Sequence, residues 1–390
     1  MTIDFVEGNR IRLLETGSAY FPALLAAIDD ARLEIYLETY IFADDGVGRA
    51  VAVALARAAQ RGVAVRVLVD GFGARDFPAI YGEALAASGV ETLIYRPEVA
   101  RLELRRHRLR RQHRKLAVVD RRLAFVGGIN VIDDMDTPHQ IPPRFDYAVA
   151  IEGPLVAQVH HAARHLWQLV GWASLRRRMP SPLPTPTTTE PCGNTAAALA
   201  LRDNLRHRRD IEEAYLEAIT GAHREVVLAS AYFLPGRRFR HALMDAARRG
   251  VRVIVLLQGK VEYVLLHYAT QALYGSLIAA GVHIFEYRRS FLHAKVAVID
   301  NIWATVGSSN IDPFSLMLAR EANVIVRHAG FARELRESLD RAMARGGVEV
   351  LPADLKKRSL LVRIANWLAY TAVRLAVGFA GYGARKEFEG

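Results

Sequence analysis

The octapeptide HRKLAVVD, residues 113–120, occurs a second time as HAKVAVID, residues 293–300. Each residue of the first copy lies 180 positions before its counterpart in the second. A histidine and a lysine two residues apart project from the same face of a β-strand, and the apolar residues that follow continue that strand. The chain therefore presents the same pair of functional side chains twice, which predicts a fold built by duplication.

The duplication extends well beyond the octapeptide. AAQRGVAVRVLVDG (58–71) matches AARRGVRVIVLLQG (246–259), and ASGVETLIYR (87–96) matches AAGVHIFEYR (279–288). A repeat this long indicates duplicated domains rather than a solenoid. Each half reads as an apolar strand, an Ala-rich helix ending at Arg-Gly, a β-branched strand, a second helix and a further strand. This order predicts an α/β fold in which each half is a mixed β-sheet flanked by helices.

The halves are separated by MPSPLPTPTTTEPCGN, whose five prolines and threonine run exclude a helix or a central strand. We interpret it as a linker, with a surface loop as the alternative. The predicted organisation is an N-terminal domain over 1–178, a linker over 179–194, a C-terminal domain over 195–350 and a tail over 351–390.

Composition limits the classes of partner and compartment. The 390 residues carry a net charge of +11, which favours an anionic partner such as nucleic acid, a membrane surface or a phosphorylated substrate. Cys192 is the single cysteine, so the chain cannot form an intramolecular disulfide. Charged residues in MTIDFVEGNRIRLLE, where a signal peptide would be apolar, favour a cytoplasmic location.

The first half contains twelve extra residues just before its copy of the octapeptide. They fall in RLELRRHRLRRQHRK, residues 101–115, which has seven arginines and a lysine against one glutamate. A run of charge is usually a solvated face. Because this run adjoins the repeated motif, we predict a basic rim that draws an anionic substrate or surface toward the site.

Each copy continues through a hairpin into a small-residue elbow that contains an asparagine, GGIN (127–130) and GSSN (307–310). A phosphodiester is anionic and resists nucleophiles. Catalysis of its cleavage therefore requires neutralisation of the charge on the phosphate oxygens and an in-line arrangement of the attacking and leaving groups. One histidine can form a phosphohistidine while the other protonates the leaving alcohol and deprotonates the incoming one. The predicted catalytic and phosphate-binding groups are His113, Lys115, His293, Lys295, Asn130 and Asn310, together with backbone amides of the elbows.

A histidine in either role should have a carboxylate that orients its second ring nitrogen. Aligning FDYAVAIEG with REANVIVRH pairs Asp146 with Glu321, each at the head of a β-branched strand. We predict that these two carboxylates orient the histidines. The alternative is that both residues simply begin strands.

These residues resemble the phospholipase D superfamily, whose signature is a duplicated His-x-Lys-x4-Asp followed, after six residues, by Gly-Ser. The second copy matches throughout, whereas the first has Gly128 in place of the serine. The resemblance implies two domains related by a pseudo-twofold axis, one shared active site, and no metal or other cofactor. It adds Ser308 to the predicted phosphate-binding residues. It also adds the motif aspartates Asp120 and Asp300 to the predicted catalytic residues, with the role of holding the hairpins.

Within that superfamily the chain is similar to bacterial cardiolipin synthases of the short B type, on the stretches RRQHRKLAVVDRRLAFVGGINV and DYAVAIEGPLV. This implies transfer of a phosphatidyl group between two phosphatidylglycerol molecules, which yields cardiolipin and glycerol, with His113 as nucleophile and His293 as general acid/base. A phospholipase D hydrolase, or a phosphodiesterase or nuclease of the superfamily, would use the same residues, whereas a membrane scaffold would carry the site as a vestige. No nucleic-acid partner is expected because the arginine run lacks stacking aromatics, and the oligomeric state stays open.

The C-terminal segment LKKRSLLVRIANWLAYTAVRLAVGFAGYGARK (355–386) is apolar but interrupted by Arg363 and Arg374, so its uncharged runs are too short to span a membrane. We predict an interfacial helix or helical hairpin on an anionic phospholipid membrane, with Trp367 and Tyr370 at headgroup level. A basic flank of Lys356, Lys357 and Arg358 fits this partner. The expected location is peripheral, on the cytoplasmic side of the bacterial cell membrane. An ordinary helix packed on the domain is the alternative.

Overall fold

A computed structural model of the chain describes residues 3–97, 110–137, 141–174, 190–203, 207–312 and 319–386, with side chains up to 376. The elements of the first half are β1 (Val6–Glu15), α1 (Thr16–Asp30), β2 (Glu34–Thr39), α2 (Gly46–Gln60), β3 (Ala64–Asp70), α3 (Phe77–Ile80), α4 (Gly82–Ala87), β4 (Glu91–Tyr95), β5 (Arg111–Gln112), β6 (Lys115–Val119), β7 (Leu123–Gly127), β8 (Tyr147–Glu152) and α5 (Leu155–Ala173).

The second half repeats this order with one helix, α8, in place of α3 and α4 and without an equivalent of β5, and it adds a C-terminal extension. Its elements are β9 (Thr195–Arg202), α6 (Asp210–Thr220), β10 (Glu225–Ser230), α7 (Arg237–Arg248), β11 (Arg252–Gln258), α8 (Val264–Ala279), β12 (His283–Tyr287), β13 (Lys295–Ile299), β14 (Trp303–Gly307), β15 (Ala319–Arg327), α9 (Ala329–Gly346), β16 (Gly347–Glu349), α10 (Pro352–Lys357) and α11 (Leu360–Lys386).

Strand pairing is the same in the two halves. In the first, β2, β3 and β4 are parallel, and β2 continues through the antiparallel series β6, β7, β8 and β1. In the second, β10, β11 and β12 are parallel, and β10 continues through the antiparallel series β13, β14, β15 and β9. The α/β class, the mixed sheets and the duplication are confirmed.

The two sheets join edge to edge because β1 pairs with β9 in antiparallel fashion. Alternate residues of each sheet face opposite sides, as a period of two requires. Val118 and its counterpart Val298 belong to one hydrophobic cluster that both halves and the helices α5 and α9 share. The neighbouring Ala117 and Ala297 instead face separate outer clusters. The halves are thus two repeats around a common core.

The predicted linker lies only partly within the described residues, since 179–189 fall outside them. The remainder runs along β1, where the amide of Cys192 donates to the carbonyl of Gly8 at 2.8 Å. Gly8 has φ of +84°, and an added β-carbon would lie 2.7 Å from the β-carbon of Pro191. Glycine is therefore required where the connection crosses this strand. Most of the arginine run, residues 101–109, also falls outside the described part.

The helix-ending Arg-Gly pairs serve as C-caps. Gly62 after α2 and Gly250 after α7 have φ of +90° and +89°, the left-handed conformation that glycine adopts at little cost. The chain then turns directly into β3 and β11. The local pattern that predicted these helix ends is confirmed in both halves.

The motif aspartates hold the hairpins. Asp120 and Asp300 have φ of 51° and 53°, and each is followed by another residue of positive φ, as tight hairpin turns require. The Asp120 carboxylate accepts hydrogen bonds from the amides of Arg32, Leu33 and Glu34 at 2.7–3.1 Å. Asp300 accepts equivalent bonds from His223, Arg224 and Glu225 at 2.8–2.9 Å. Each carboxylate thereby fastens its hairpin to the start of the neighbouring strand.

Counting these aspartates among the catalytic residues was therefore wrong. Asp120 lies five positions after Lys115 along an extended strand, a distance of roughly 16 Å at the usual rise per residue. The motif spacing places the aspartate at the opposite end of the strand from the histidine. The part of the resemblance that gave these residues a hairpin role agrees with this geometry.

The C-terminal segment contains the end of the short helix α10 and then one long helix, α11, rather than a helical hairpin. Asn366, Ala369 and Val373 are buried against the outer cluster of the second half. On the opposite face Leu361 and Trp367 are 78% and 62% exposed. Tyr370 contacts protein instead of standing free, since Arg240 and Arg374 donate to its hydroxyl at 3.5 and 3.0 Å. Among the described residues, no helix is both long and apolar enough to cross a bilayer.

Asp300→Ala removes the acceptor for three backbone amides. We expect the free energy of unfolding to fall by about 2 kcal/mol, because three backbone amides, two of them at exposed positions, lose their charged acceptor. Asp300→Asn retains one oxygen acceptor and tolerates positive φ, so it should cost less. Urea unfolding followed by circular dichroism measures both variants, and an unchanged midpoint for the alanine variant would refute the fastening role.

Candidate active site

Two strand crossings bring the halves together at the motif. β5 pairs in parallel with the start of β15, and the amide of His113 donates to the carbonyl of Arg320 at 3.0 Å. The reciprocal crossing has the amide of Phe145 donating to Phe291 at 2.7 Å and the amide of His293 donating to Phe145 at 2.8 Å. Each histidine segment is therefore held against the carboxylate-bearing strand of the other half.

The histidine–carboxylate pairs cross between the halves. Nδ1 of His113 lies 3.0 Å from both carboxylate oxygens of Glu321. Nδ1 of His293 lies 2.6 Å from Oδ2 of Asp146. The structure thus brings both predicted carboxylates to the histidines and pairs each with the histidine of the opposite half. Because Nδ1 is committed to a carboxylate, Nε2 is the ring nitrogen left for chemistry.

The two lysines lie beside the histidines and are almost fully buried, at 2% and 1% exposure. Nζ of Lys115 donates to the carbonyl of His113 at 2.7 Å. Nζ of Lys295 donates to Oδ2 of Asp146 at 3.3 Å and lies 2.7 Å from Nδ1 of His293. Burial lowers the pKa of Lys115 to about 7. Burial also lowers the pKa of Lys295.

The free site holds neutral imidazoles beside ionised carboxylates. Burial is the main cause that lowers the pKa of both histidines, and the lysine charges act in the same direction. Burial by itself would raise the pKa of Asp146 and Glu321, yet the adjacent cationic groups and hydrogen bonds leave both lowered. A bound phosphodiester anion would raise the imidazole pKa values, because a nearby negative charge favours the protonated form.

The elbow residues are engaged with the carboxylates and with the sheet. Oγ of Ser308 donates to Oε2 of Glu321 at 2.5 Å and accepts from the amide of Ala322 at 3.0 Å. Its hydroxyl is therefore engaged with the carboxylate and the sheet, and a phosphate-binding role for it stays a prediction. The elbow amides of Gly128 and Ser308 donate to the carbonyls of Tyr147 and Ala322 at 2.9 and 3.0 Å, so they are engaged in the sheet as well.

Gly128 replaces the family serine for a steric reason. A β-carbon at this position would lie 2.3 Å from Oδ1 and 2.5 Å from Oδ2 of Asp146. The shorter aspartate side chain fills the space that a serine would need. One half combines Ser308 with Glu321, and the other combines Gly128 with Asp146. Both combinations place a carboxylate against a histidine.

The predicted asparagines lie next to this centre. Oδ1 of Asn130 accepts from the amide of Ile41 at 3.1 Å. Asn310 is 2% exposed, and its Oδ1 has no hydrogen-bond partner among the described residues. A phosphate-binding role for these two side chains stays a prediction.

Sequence reasoning missed Tyr40 and Arg144. The Tyr40 ring lies 4.9 Å from the His113 ring and 5.3 Å from Nζ of Lys115. Its counterpart in the repeat is Ala231, so the duplication gave no signal for it. The Arg144 guanidinium lies 5.1 Å from the Phe291 ring and adds positive charge near His293. Its position two residues before Asp146 was the signal available in the sequence.

The described residues contain no cluster of three or more histidine, cysteine or acidic side chains suited to holding a metal ion. The groups assembled at this centre are two imidazoles, two ammonium groups and two carboxylates. This set can neutralise a phosphodiester and supply a nucleophile and a proton carrier.

Comparison with known proteins agrees with this geometry. A family model described as "Cardiolipin synthase, PLD-like domain" matches residues 24–167 and again 215–343. The chain belongs to this family of phospholipase D-like proteins. Cardiolipin synthase B of Escherichia coli K12 is 41% identical over 382 residues, covering 98% of this chain and 92% of its own length. Cardiolipin synthase A of Pseudomonas putida F1 is 35% identical over 337 residues, covering 85% of this chain and 68% of its own length.

Among solved structures, the phosphatidylserine synthase of Haemophilus influenzae superposes with a TM-score of 0.73 at 12% identity, covering 96% of both chains. The polyphosphate kinase of Porphyromonas gingivalis gives a TM-score of 0.56 at 15% identity, covering 86% of this chain and 50% of that one. At these identities the likeness shows the fold alone, and it agrees with the predicted α/β fold.

Gly128→Ser forces a β-carbon into the Asp146 carboxylate. We expect the carboxylate to move off His293 and kcat on a phosphodiester substrate to fall by roughly 100-fold, since an orienting acid fixes the imidazole. Gly82→Ser is the matched control, because a β-carbon there meets no atom within 4 Å. Turnover at wild-type level in Gly128→Ser would show that the Asp146 position is not critical.

Proposed function

We propose that this protein is a cardiolipin synthase that transfers a phosphatidyl group from one phosphatidylglycerol to the primary hydroxyl of another and releases glycerol. The observation that carries the proposal is the pair of crossed histidine–carboxylate contacts, each with a buried lysine, in one cleft. Relatives named cardiolipin synthase B that align over nearly the whole chain support the choice of reaction.

The first step forms a covalent intermediate. Nε2 of His113 attacks phosphorus while Glu321 holds Nδ1 and stabilises the developing positive charge. The bond from phosphorus to the glycerol oxygen breaks, and His293, protonated once the anionic lipid is bound, gives its proton to that oxygen. Lys115 and Lys295 offset the charge on the phosphate oxygens.

The second step reverses the proton transfer. The primary hydroxyl of a second phosphatidylglycerol gives its proton to His293 and attacks phosphorus, and the bond between phosphorus and His113 breaks. Water in place of the lipid would give phosphatidic acid, the product of a hydrolase that used the same residues. The choice of His113 as nucleophile comes from the family resemblance.

Intermediate trapping tests both the reaction and the roles. Purified protein is incubated with phosphatidylglycerol vesicles without divalent metal, and lipids and intact protein are followed by mass spectrometry. We expect cardiolipin and glycerol from wild type, no product or adduct from His113→Ala, and a phosphatidyl adduct without cardiolipin from His293→Ala. His161→Ala, on the exposed side of α5, is the matched control.

Each contrary outcome has a defined meaning. Adduct in His113→Ala but not in His293→Ala would exchange the two roles. Phosphatidic acid as the single product would replace the transferase by a hydrolase. No lipid turnover by wild type would overturn the proposed function and leave other phosphodiesters, including oligonucleotides, as substrates.

The proposed partner is an anionic membrane, bound peripherally from the cytoplasmic side. Exposed apolar side chains support this at the cleft, where Phe72 stacks 4.6 Å from the Arg111 guanidinium, two residues before His113. The outward face of α11 adds Leu361 and Trp367, and Lys356 and Lys357 are exposed beside it. Apolar insertion combined with basic charge is the usual means of binding an anionic leaflet.

The double substitution Leu361→Ser with Trp367→Ser should weaken binding to phosphatidylglycerol vesicles at least about 10-fold, since burial of one large apolar side chain contributes about 1.5–3 kcal/mol. Vesicle co-sedimentation at about 0.15 M salt, near physiological ionic strength, measures it. Leu33→Ser is the control, because Leu33 is 57% exposed but lies at the hairpin end of β2. Unchanged binding would exclude α11 from the membrane surface, while activity on detergent-dispersed lipid should persist.

A further inference from the structure

Arg144 projects from the chain segment that crosses between the halves at His293. Its neighbour Phe145 forms a parallel bridge with Leu292, and both of these side chains face the shared core. Successive residues of an extended chain face opposite sides. Arg144 and Asp146, which flank Phe145, therefore both face away from that core, where Asp146 bonds to His293 at 2.6 Å. Arg144 thus shares the face of the catalytic centre.

Arg144 lies one step nearer to solvent than His293. Lys295 is 1% exposed and His293 is 9% exposed, whereas Phe291, two residues ahead of His293, is half-buried. Arg144 is also half-buried, and its guanidinium lies 5.1 Å from the Phe291 ring. Two residues of extended chain span roughly 7 Å. The guanidinium is therefore held about one such step outward from the histidine.

The positive charge of Arg144 is not neutralised by the carboxylate nearest to it in the chain. Asp146 is bonded to His293 and to Lys295 instead. Nε of Arg144 is buried and has no hydrogen-bond partner among the described residues. Burial lowers the pKa of His293 and of Lys295, and the Arg144 charge acts in the same direction on both. A bound anion would satisfy this donor and offset the charge.

The duplication shows that the halves differ at this position. Ala319 is the counterpart of Arg144 in the alignment of the two carboxylate-bearing segments. On the His113 side, Arg111 instead occupies the position equivalent to Phe291, in the segment that carries the histidine. The His113 side thus has no cation at the position of Arg144, and the two histidines have different cationic surroundings.

Exposed apolar side chains lie beyond Arg144. Burial raises the pKa of Tyr232 and of Tyr263, and the Arg144 charge opposes that rise in both, which places the guanidinium near the two hydroxyls. The two rings are 5.3 Å apart. Tyr263 immediately precedes α8, and Tyr263, Val264 and Leu265 are 58%, 61% and 53% exposed. From the buried centre toward solvent, the order of groups is thus acid/base, cation and apolar surface.

We propose that Arg144 binds the phosphodiester of the acceptor phosphatidylglycerol, the phosphate that does not react. The inference rests on the proposed function and on His293 as the acid/base. The acceptor presents in sequence a primary hydroxyl, a phosphodiester and acyl chains, which is the order of His293, Arg144 and the exposed start of α8. In an extended headgroup with bonds of about 1.5 Å, phosphorus lies roughly 6 Å from that hydroxyl oxygen, close to the one-step separation of the two side chains. The planar guanidinium fork fits two phosphate oxygens.

Such a site distinguishes acceptors without changing the chemical step. The acceptor hydroxyl still gives its proton to His293 as it attacks phosphorus, while Arg144 holds the acceptor by its charge. Water and uncharged alcohols offer no anion to Arg144, so they lack this stabilisation. The donor needs it less, because Lys115 and Lys295 offset the charge of the reacting phosphate and the departing glycerol carries none. Arg144 therefore selects cardiolipin over the products of other acceptors.

Competition between a lipid and an uncharged alcohol for the same intermediate tests the site. Protein is incubated with phosphatidylglycerol vesicles and 1-propanol, and mass spectrometry measures the ratio of cardiolipin to phosphatidylpropanol. Both products form from the same phosphohistidine, so a change in the first step affects them equally. Because the ratio is internal to each sample, it does not depend on the fraction of a variant that is folded.

Arg144→Gln should lower this ratio roughly 10- to 100-fold, the loss expected for a hydrogen bond to a charged group. Arg144→Lys keeps the charge but not the planar fork, so it should lower the ratio less. Arg122→Gln is the matched control and should leave the ratio unchanged. Arg122 is exposed and lies in the β6–β7 turn, at the opposite end of β6 from His113.

The outcomes separate this site from the proposed function. If wild type forms both products and Arg144→Gln leaves their ratio unchanged, even with lower turnover, the acceptor site is wrong and the transferase stands. If Arg144→Gln gives no product, the Arg144→Lys ratio decides, and a wild-type value overturns the site. If wild type forms no cardiolipin, the proposed function fails and the acceptor site fails with it.

Discussion

The structure depends on an exchange of carboxylates between its two halves. His113 bonds to Glu321 and His293 bonds to Asp146. Neither half therefore contains a complete histidine–carboxylate pair of its own. The backbone enforces this exchange, because the chain segment ahead of each histidine pairs with the strand that carries the other carboxylate. Two duplicated domains that merely touched could not hold the imidazoles this way, and the shared core behind them fixes their relative position.

Burying these charges is tolerable because they are buried together. An isolated buried lysine or carboxylate would be expensive. Here Nζ of Lys295 lies 3.3 Å from the Asp146 carboxylate, and Lys115 donates to a backbone carbonyl while the Glu321 charge acts to raise its pKa. The arrangement is still short of negative charge, since Lys115, Lys295 and Arg144 all act to lower the pKa of a neighbouring histidine or lysine. A phosphodiester anion would supply negative charge and so favour the protonated imidazole that can donate a proton.

Residues that differ between equivalent positions of the two halves show where the halves have different roles. Gly128 and Ser308 occupy equivalent positions. Gly128 leaves room for the shorter Asp146, whereas Ser308 binds the longer Glu321, and both carboxylates keep the same function. Arg144 and Ala319 are also equivalent, and only Arg144 carries a charge. Tyr40 against Ala231 likewise gives the His113 side an aromatic wall. In a two-step transfer, the nucleophile side and the alcohol side have different needs.

The sequence by itself determined the family, the duplication, the α/β class, the Arg-Gly helix ends and the histidine, lysine and carboxylate set, because these are written as local patterns repeated at constant spacing. Only the tertiary structure decided which carboxylate serves which histidine, that Ser308 and the elbow amides are already engaged, and which backbone amides Asp120 and Asp300 bind. It also showed α11 as one helix with a packed and an exposed face. These features depend on contacts between segments up to 208 residues apart. A linear spacing cannot specify such contacts, because it fixes which face of a strand a side chain occupies but not which strand lies opposite.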